Sequence, residues 1–384
     1  MEFIEVLLYL FFFLIAYSYL IYPVAVWAYS SIVSDQFSNI GEDKERLYPN
    51  ISIVISAYNE ESVIQEKLEN CITLDYPRDR LEIIFASDGS TDSTNRIIEE
   101  YASERIKFIS LPRMGKVNVL NEVIPITNGE IIVFSDANTI YNKDALIELV
   151  KHFDNKQIGC VCGNLKLINP NTHEVDGESI YWKYEKWIKK SESKLGIVVG
   201  ANGAIYAIRK HLVDTLPTNT INDDFHISMG NFTKGFSVIF SERAIGSEYI
   251  AKDFTSEFKR HIRDGAGHYR EMRYYSSLLN PIRGKYFFSY FSHRVLRWLV
   301  PFFMIGIFLL NVMLAHNYYY LLLLYGQVAF YLASFIIFIL KSYNINVGIL
   351  NIVLFFVSTN IALFIGFMKN IFGLQSVKWD STER

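Results

Sequence analysis

Apolar residues follow three different regimes along this chain. Residues 3–27 are almost without charge and form a run long enough to cross about 30 Å of hydrocarbon. From Asn50 the pattern breaks into short apolar runs at 51–56, 81–86, 106–109 and 131–134. Between them lie helical stretches at 60–73, 91–101 and 117–124. Long apolar segments return at 295–314, 318–340 and 347–367. Short apolar runs alternating with helices predict right-handed β-α-β crossovers and a mainly parallel sheet. In such α/β sheets, ligands bind at the carboxyl ends of the strands.

The first apolar run carries Glu2 and Glu5 where a secretory signal would be basic, and no small-residue cleavage site follows it. It is therefore expected to be a retained transmembrane helix. The whole chain then divides into a membrane helix (1–33), an α/β domain (50–270), an interfacial segment (271–294), membrane helices (295–368) and a tail (369–384), with a polar linker over 34–49. Arg294 and Arg297 precede the first C-terminal apolar segment, and Lys341 separates the second from the third. Both placements fit short basic loops on the cytoplasmic side, which makes the α/β domain cytoplasmic in a multi-pass cell-membrane protein. Counting crossings puts the C-terminus outside, whereas Lys369, Lys378 and Arg384 argue for the inside. A re-entrant or interfacial segment would reconcile the two.

A stretch over 178–195 has helical periodicity of another kind. Ile180, Tyr184, Trp187, Ile188 and Leu195 share one face, and Lys183, Lys186, Lys189, Lys190 and Lys194 make the rest basic. Such a helix suits a membrane interface; packing on the sheet with a solvated lysine face is the alternative.

Composition adds little beyond this, because 51% hydrophobic and 15% aromatic residues reflect mostly the two ends. A net charge of -3 argues against a nucleic-acid partner. Cys71, Cys160 and Cys162 are too few for a disulfide framework. Cys160-x-Cys162 has no second Cys/His pair at zinc spacing and reads as buried strand.

The chemistry gathers where the predicted strands end. Ser56-Ala57-Tyr58-Asn59-Glu60 follows the first strand and Ser87-Asp88-Gly89-Ser90-Thr91-Asp92 the second. Then come Arg113-Met114-Gly115-Lys116 and Ser135-Asp136-Ala137-Asn138. Asp88 and Glu60 can read the edge of a base, with Tyr58 beside them. Arg113 and Lys116 can neutralise a diphosphate. Asp136 and Asn138 offer hard oxygens to a divalent cation. Taken singly, each stretch also reads as a turn or a helix cap.

In order and spacing these motifs resemble the family-2 glycosyltransferases, the group that includes cellulose, chitin and hyaluronan synthases. The resemblance covers roughly residues 50–269. It implies a GT-A fold and transfer of a hexosyl or N-acetylhexosaminyl group with inversion. The donor would be a nucleotide diphosphate sugar, UDP-linked by analogy, with Mg2+ or Mn2+ as cofactor. Asp88 then matches the family's nucleobase residue, and Asp136 and Asn138 match its D-x-D motif, with Asn in the second place. Asn222-Asp223-Asp224 matches T-E-D, whose last carboxylate is the general base, so the base falls on Asp224. Asp223 remains open to base, metal or capping roles. Gly200, Ala201 and Asn202 match a segment on the acceptor side.

The processive Q-x-x-R-W motif is matched by Arg260-His261-Ile262-Arg263-Asp264. Arg263 and Arg260 can pair with the diphosphate. Asp264 cannot stack on a sugar as Trp does, which puts repeated addition in doubt; Tyr269 is the candidate substitute for that Trp. The acceptor implied is a glycan or a lipid-linked sugar at the membrane lipid surface, with an export partner or a homo-oligomer to carry product.

Overall fold

The computed structural model describes residues 2–33, 37, 48–168, 180–249, 254–343, 345 and 347–376. Most of the 34–49 linker, the start of the helix expected from 178, Lys378 and Arg384 lie outside them. The chain packs as two compact units. One comprises Met1–Ala25, Asp253–Tyr274 and Tyr290–Gln375, and the other Val26–Lys252, Tyr275–Ser289 and Ser376–Arg384.

The chain begins with α1 (Glu2–Ala16) and α2 (Tyr22–Ile32), joined by a π-helical turn into one apolar helix. The α/β unit then builds one sheet from β1 (Ile51–Ala57), β2 (Leu81–Asp88), β3 (Ile106–Leu111), β4 (Ile131–Asp136), β5 (Ile140–Tyr141), β6 (Ile158–Ile168), β7 (Tyr206–Arg209) and β8 (Ser237–Tyr249). Its helices are α3 (Ile64–Ile72), α4 (Thr94–Glu100), α5 (Lys116–Ile126), α6 (Ala145–Val150), α7 (Ile180–Ser193) and α8 (Asp223–Thr233).

The strand order is β3-β2-β1-β4-β7-β6-β8-β5. Strands β3, β2, β1 and β4 run parallel, as the alternating pattern predicts, and β7 enters antiparallel. Both faces of the central strands are buried, so β1 is apolar at nearly every position rather than at alternate ones. Ile53, Ile55, Ile83, Phe85, Val133 and Ile205 pack with Ile64, Leu68 and Leu146 on one face. Each such side chain contributes roughly 1.5–3 kcal/mol by leaving water. Cys160 and Cys162 lie buried in β6.

In α7, Glu185, Ile188, Ser191 and Glu192 form the buried seam. Of the face expected from Ile180, Tyr184, Trp187, Ile188 and Leu195, Ile188 lies in this seam, Tyr184, Trp187 and Leu195 are partly buried, and Ile180 is exposed. Ser193 Oγ fixes the helix to β8, donating to Phe240 O at 3.2 Å and accepting from Phe240 N at 2.8 Å. Polar contacts thereby join the buried Ile188 in fixing the end of the helix.

The segment expected to be interfacial supplies α10 (Lys285–Ser289) and a stretch from Tyr275 that docks on α8. Tyr275 donates to His226 O at 2.7 Å, and Tyr286 stacks on Phe232 with centroids 4.6 Å apart.

The helical unit contains α9 (Phe254–Tyr274), α11 (Leu296–Leu314), α12 (Tyr318–Ser342) and α13 (Asn351–Ile371), together with α1. The boundary expected at 270 falls inside α9. A Cβ on Gly366 would stand 2.7 Å from Ile262 O and Ala266 N. Small residues at this crossing let α9 and α13 meet backbone to backbone, which holds α9 in the helical unit. Leu8 packs with Ile307, Leu310 and Leu314, joining α1 to α11. Among the described residues, four helices are long and apolar enough to cross a membrane: Glu2–Ile32, Lys285–Leu314, Tyr318–Ser342 and Gly348–Ile371.

Candidate active site

Register brings the first motifs to one edge of the sheet. Ser56 pairs with Asp136, Ala57 with Ser87, and Asp88 with Leu111. The strands therefore end together and their loops share one rim. There the loops hold one another. Asn59, at φ 52, accepts from Thr91 N at 2.8 Å, and Glu60 N donates to Thr94 Oγ1 at 2.8 Å. Gly89 has φ +68, and a Cβ on it would stand 2.6 Å from Arg113 N. Only glycine tolerates both the left-handed turn and that approach.

Asp88 is fully buried. It receives Met114 N at 2.7 Å, Gly115 N at 3.0 Å and the Arg113 guanidinium. In this geometry its oxygens bind the Arg113–Lys116 loop. Arg113, pinned by Asp88, lies 3.4 Å from the centroid of the Tyr58 ring. The rim thus presents a flat cation–aromatic pair where a planar group can stack.

Lys116 opens α5 and stands between two carboxylates. Its Nζ is 3.1 Å from Asp136 Oδ1 and 3.2 Å from Asp223 Oδ2. Burial pushes its pKa down, but Asp136, Asp223 and Asp224 together outweigh that and raise it above lysine's ordinary value, so it stays an ammonium. With three N–H donors it can serve both carboxylates and still reach a phosphate oxygen.

Asp223 and Asp224 form the first turn of α8, whose N-terminus favours anions. Asp223 is buried, whereas Asp224 is half-buried and lies against Gly203, where a Cβ would come 3.3 Å from its Oδ2. Asp224 Oδ1 accepts from Phe225 N at 2.8 Å. Gly200, at φ +84, faces the Phe225 ring, which a Cβ there would approach to 2.6 Å. Ala201 N donates to Ser228 Oγ at 2.9 Å, and Asn202 Oδ1 accepts from Ala204 N at 3.2 Å. The Gly200–Asn202 segment thus packs on the start of α8.

Asp136 and Asn138 carry side-chain oxygens of the hard kind that divalent cations take. Asn138 Nδ2 is buried without a hydrogen-bond partner among the described residues, and turning the amide over would place an acceptor there instead. Among the described residues no group of three or more His, Cys, Asp or Glu side chains could hold a metal. Two such donors fit a cation only if other groups, such as substrate phosphates, complete its shell.

Two site residues escape a reading by motif. Lys67 on α3 is fully buried, donating to Ser135 Oγ at 2.7 Å and Thr139 O at 2.5 Å, with its ammonium 4.2 Å from the Tyr141 centroid. Thr139 Oγ1 bonds Glu248 at 2.5 Å. Together Lys67 and Glu248 brace the loop that carries Asp136 and Asn138. Lys67 falls three residues after Ile64 and four before Cys71, in phase with the buried face, and that phase is the signal it left in the sequence.

Asp88, Arg113, Lys116, Asp136, Asp223 and Asp224 thus meet within the α/β unit. Arg260 and Arg263 stand on α9 of the helical unit, where Arg263 Nε is 3.7 Å from Asp264 Oδ1.

Residues 52–215 match the family described as Glycosyl transferase family 2. A beta-monoglucosyldiacylglycerol synthase of Nostoc sp. is 30% identical over 189 residues, 47% of this chain and 40% of that protein. A poly-beta-1,6-N-acetyl-D-glucosamine synthase of Staphylococcus epidermidis is 28% identical over 224 residues, 56% of this chain and 54% of that protein. The chain thus spans about half the length of these curated relatives. Among solved structures, a mannosyltransferase from Pyrobaculum calidifontis, in complex with GDP-Man and Mn2+, superposes with a TM-score of 0.67. It is 20% identical and covers 96% of this chain and 99% of that one. The shared fold is the mixed, mainly parallel GT-A-like sheet with long apolar helices after it.

Proposed function

We propose that this chain, which carries a glycosyltransferase family 2 domain, transfers a sugar with inversion from a nucleotide diphosphate donor, UDP-linked, to a growing glycan at the cytoplasmic membrane face. The observation that carries the reading is the convergence of Lys116, Asp136 and Asp223, with contacts of 3.1 and 3.2 Å, beside Asp224 at the carboxyl edge of the sheet.

The Tyr58–Arg113 pair supports stacking of the base, and Lys116 offers a fixed cation to the leaving diphosphate. Mg2+ or Mn2+ held by Asp136 and Asn138 would neutralise charge on that diphosphate. Asp224 takes the proton of the acceptor hydroxyl as that oxygen attacks the anomeric carbon, and the nucleoside diphosphate leaves from the opposite face. Asp223 is committed to Lys116, which supports Asp224 as the base. Gly203 leaves room for the acceptor to come close to the Asp224 carboxylate.

Asp264, standing where the resembled motif has Trp, favours a second reading in which one sugar is added to a lipid-linked acceptor. Similarity to both a polysaccharide synthase and a glycolipid synthase accommodates either. Purified protein in lipid discs, incubated with a panel of nucleotide sugars and with glycan and lipid acceptors, should give one product series by mass spectrometry. A ladder of lengths supports chain growth, and a single adduct on lipid supports the second reading. Absence of any transfer or donor hydrolysis across the panel, by folded protein, would remove the proposal.

A further inference from the structure

A basic groove of about 590 Å³ lies between α7 and the sheet, lined by Lys166 of β6, Lys183, Lys186, Trp187 and Lys190 of α7, and Arg243 of β8. Glu242 is the one carboxylate in its lining, and it pairs with Lys190 at 2.5 Å. Five cationic side chains against one carboxylate leave the groove strongly positive. The Ser193–Phe240 contacts hold α7 to β8, so its lysines stand on a fixed element.

The groove also adjoins aromatic residues of the kind found at a membrane–water boundary. Trp187 packs against Trp27 with ring centroids 6.3 Å apart, and Tyr184 lies 6.3 Å from Trp187. Trp27 belongs to the last turns of the apolar helix Glu2–Ile32, a 31-residue element. At 1.5 Å per residue such a helix is about 46 Å long, more than the roughly 30 Å of hydrocarbon it has to cross. Trp27 and Tyr29 are 49% and 60% exposed there, the aromatic pattern of a membrane–water boundary. Trp187 sets α7 and its lysines beside this aromatic end of the helix.

We propose that this groove binds the phosphate of an anionic glycerophospholipid, docking the α/β unit to the membrane surface at a site separate from the sugar-transfer residues. Charge, volume and the adjoining Trp27–Trp187 pair coincide here, and the ammonium groups of Lys183 and Lys186 are suited to a phosphodiester.

The test uses the full chain in detergent, titrated with short-chain phosphatidylglycerol, short-chain phosphatidylcholine and inorganic phosphate, with bound ligand read by native mass spectrometry. Saturable binding of phosphatidylglycerol over phosphatidylcholine is expected. The Lys183→Gln/Lys186→Gln double variant should bind it about 30-fold more weakly, about five-fold per lysine. A Lys143→Gln/Lys156→Gln variant, altered at exposed lysines outside the groove, should bind as the parent does. Equal affinity of parent and groove variant would overturn the proposal. Inorganic phosphate bound as tightly as phosphatidylglycerol would overturn the lipid assignment. Glycosylated phosphatidylglycerol formed on adding nucleotide sugars would make the groove part of the acceptor site and overturn a separate docking role. The binding readouts do not depend on which sugar the enzyme transfers.

Discussion

Lys67→Met isolates the bracing of the loop proposed to hold the cation, because it keeps most of a fully buried side chain's alkyl volume and deletes only its ammonium. Two charge-assisted bonds disappear, to Ser135 Oγ at 2.7 Å and to Thr139 O at 2.5 Å. Ser135 keeps its own contact with Asp136 O at 3.2 Å, while the Thr139 carbonyl loses this donor. Bonds to charged groups are worth roughly 1.5–3 kcal/mol each. Against that stands the cost of burying an ammonium, which also pushes the Lys67 pKa below its ordinary value. The two effects oppose each other, so global stability should shift by no more than about 1–3 kcal/mol. Loop position has no such compensation, since Asp136 and Asn138 stand between the two anchored residues. Loss of an outer-shell partner typically weakens a metal site by about 10–100-fold. The divalent concentration for half-maximal transfer should rise by that factor, while turnover at saturating Mn2+ stays near the parent value. The assay is donor consumption across a Mn2+ titration, with calorimetric Mn2+ binding in the presence of nucleoside diphosphate as a second readout. Lys67→Gln keeps an N–H donor and should fall between parent and Lys67→Met. An unchanged metal requirement in folded Lys67→Met protein would refute the bracing argument.

Asp224→Asn removes the proposed proton acceptor and should lower transfer by about 10²–10⁴-fold while donor affinity measured by calorimetry holds. The Asp223→Asn control, which weakens the Lys116 pair, should act mainly on donor KM; the reverse outcome would move the base to Asp223. Activity should vanish in excess chelator and return with Mg2+ or Mn2+, and Asn138→Asp should lower the metal concentration required, because it adds a charged oxygen. Turnover that ignores chelation would take the cation out of the mechanism. All three native cysteines are buried, so sidedness needs an introduced thiol. Lys156→Cys, at an exposed position, should react with a membrane-impermeant maleimide only after cells are opened, and labelling of intact cells would reverse the proposed orientation.

The amino-acid sequence alone fixed the parts that depend on local periodicity and order. Apolar runs in a helix-strand alternation dictate the parallel half of the sheet. Because successive parallel strands end on the same edge, the four motifs had to share one rim. The long apolar segments identify themselves by length, since about 20 residues are needed to cross hydrocarbon. What each charged group does was left to tertiary structure, because a charge takes its role from partners far along the chain. Asp88 faces inward to hold the Arg113 loop, and Lys116 meets Asp223 across more than a hundred residues. Lys67 sits in phase with a buried helix face, yet only the arrival of Ser135 and Thr139 makes its burial tolerable. The same reason explains α7. Its apolar residues suggested one buried face, but the packed seam includes Glu185 and Glu192, and Trp187 turns toward Trp27 at the end of the first apolar helix. Hydrophobic periodicity tells which positions can be buried; contacts between distant elements decide which polar groups are buried with them, and so where the charge of the site points.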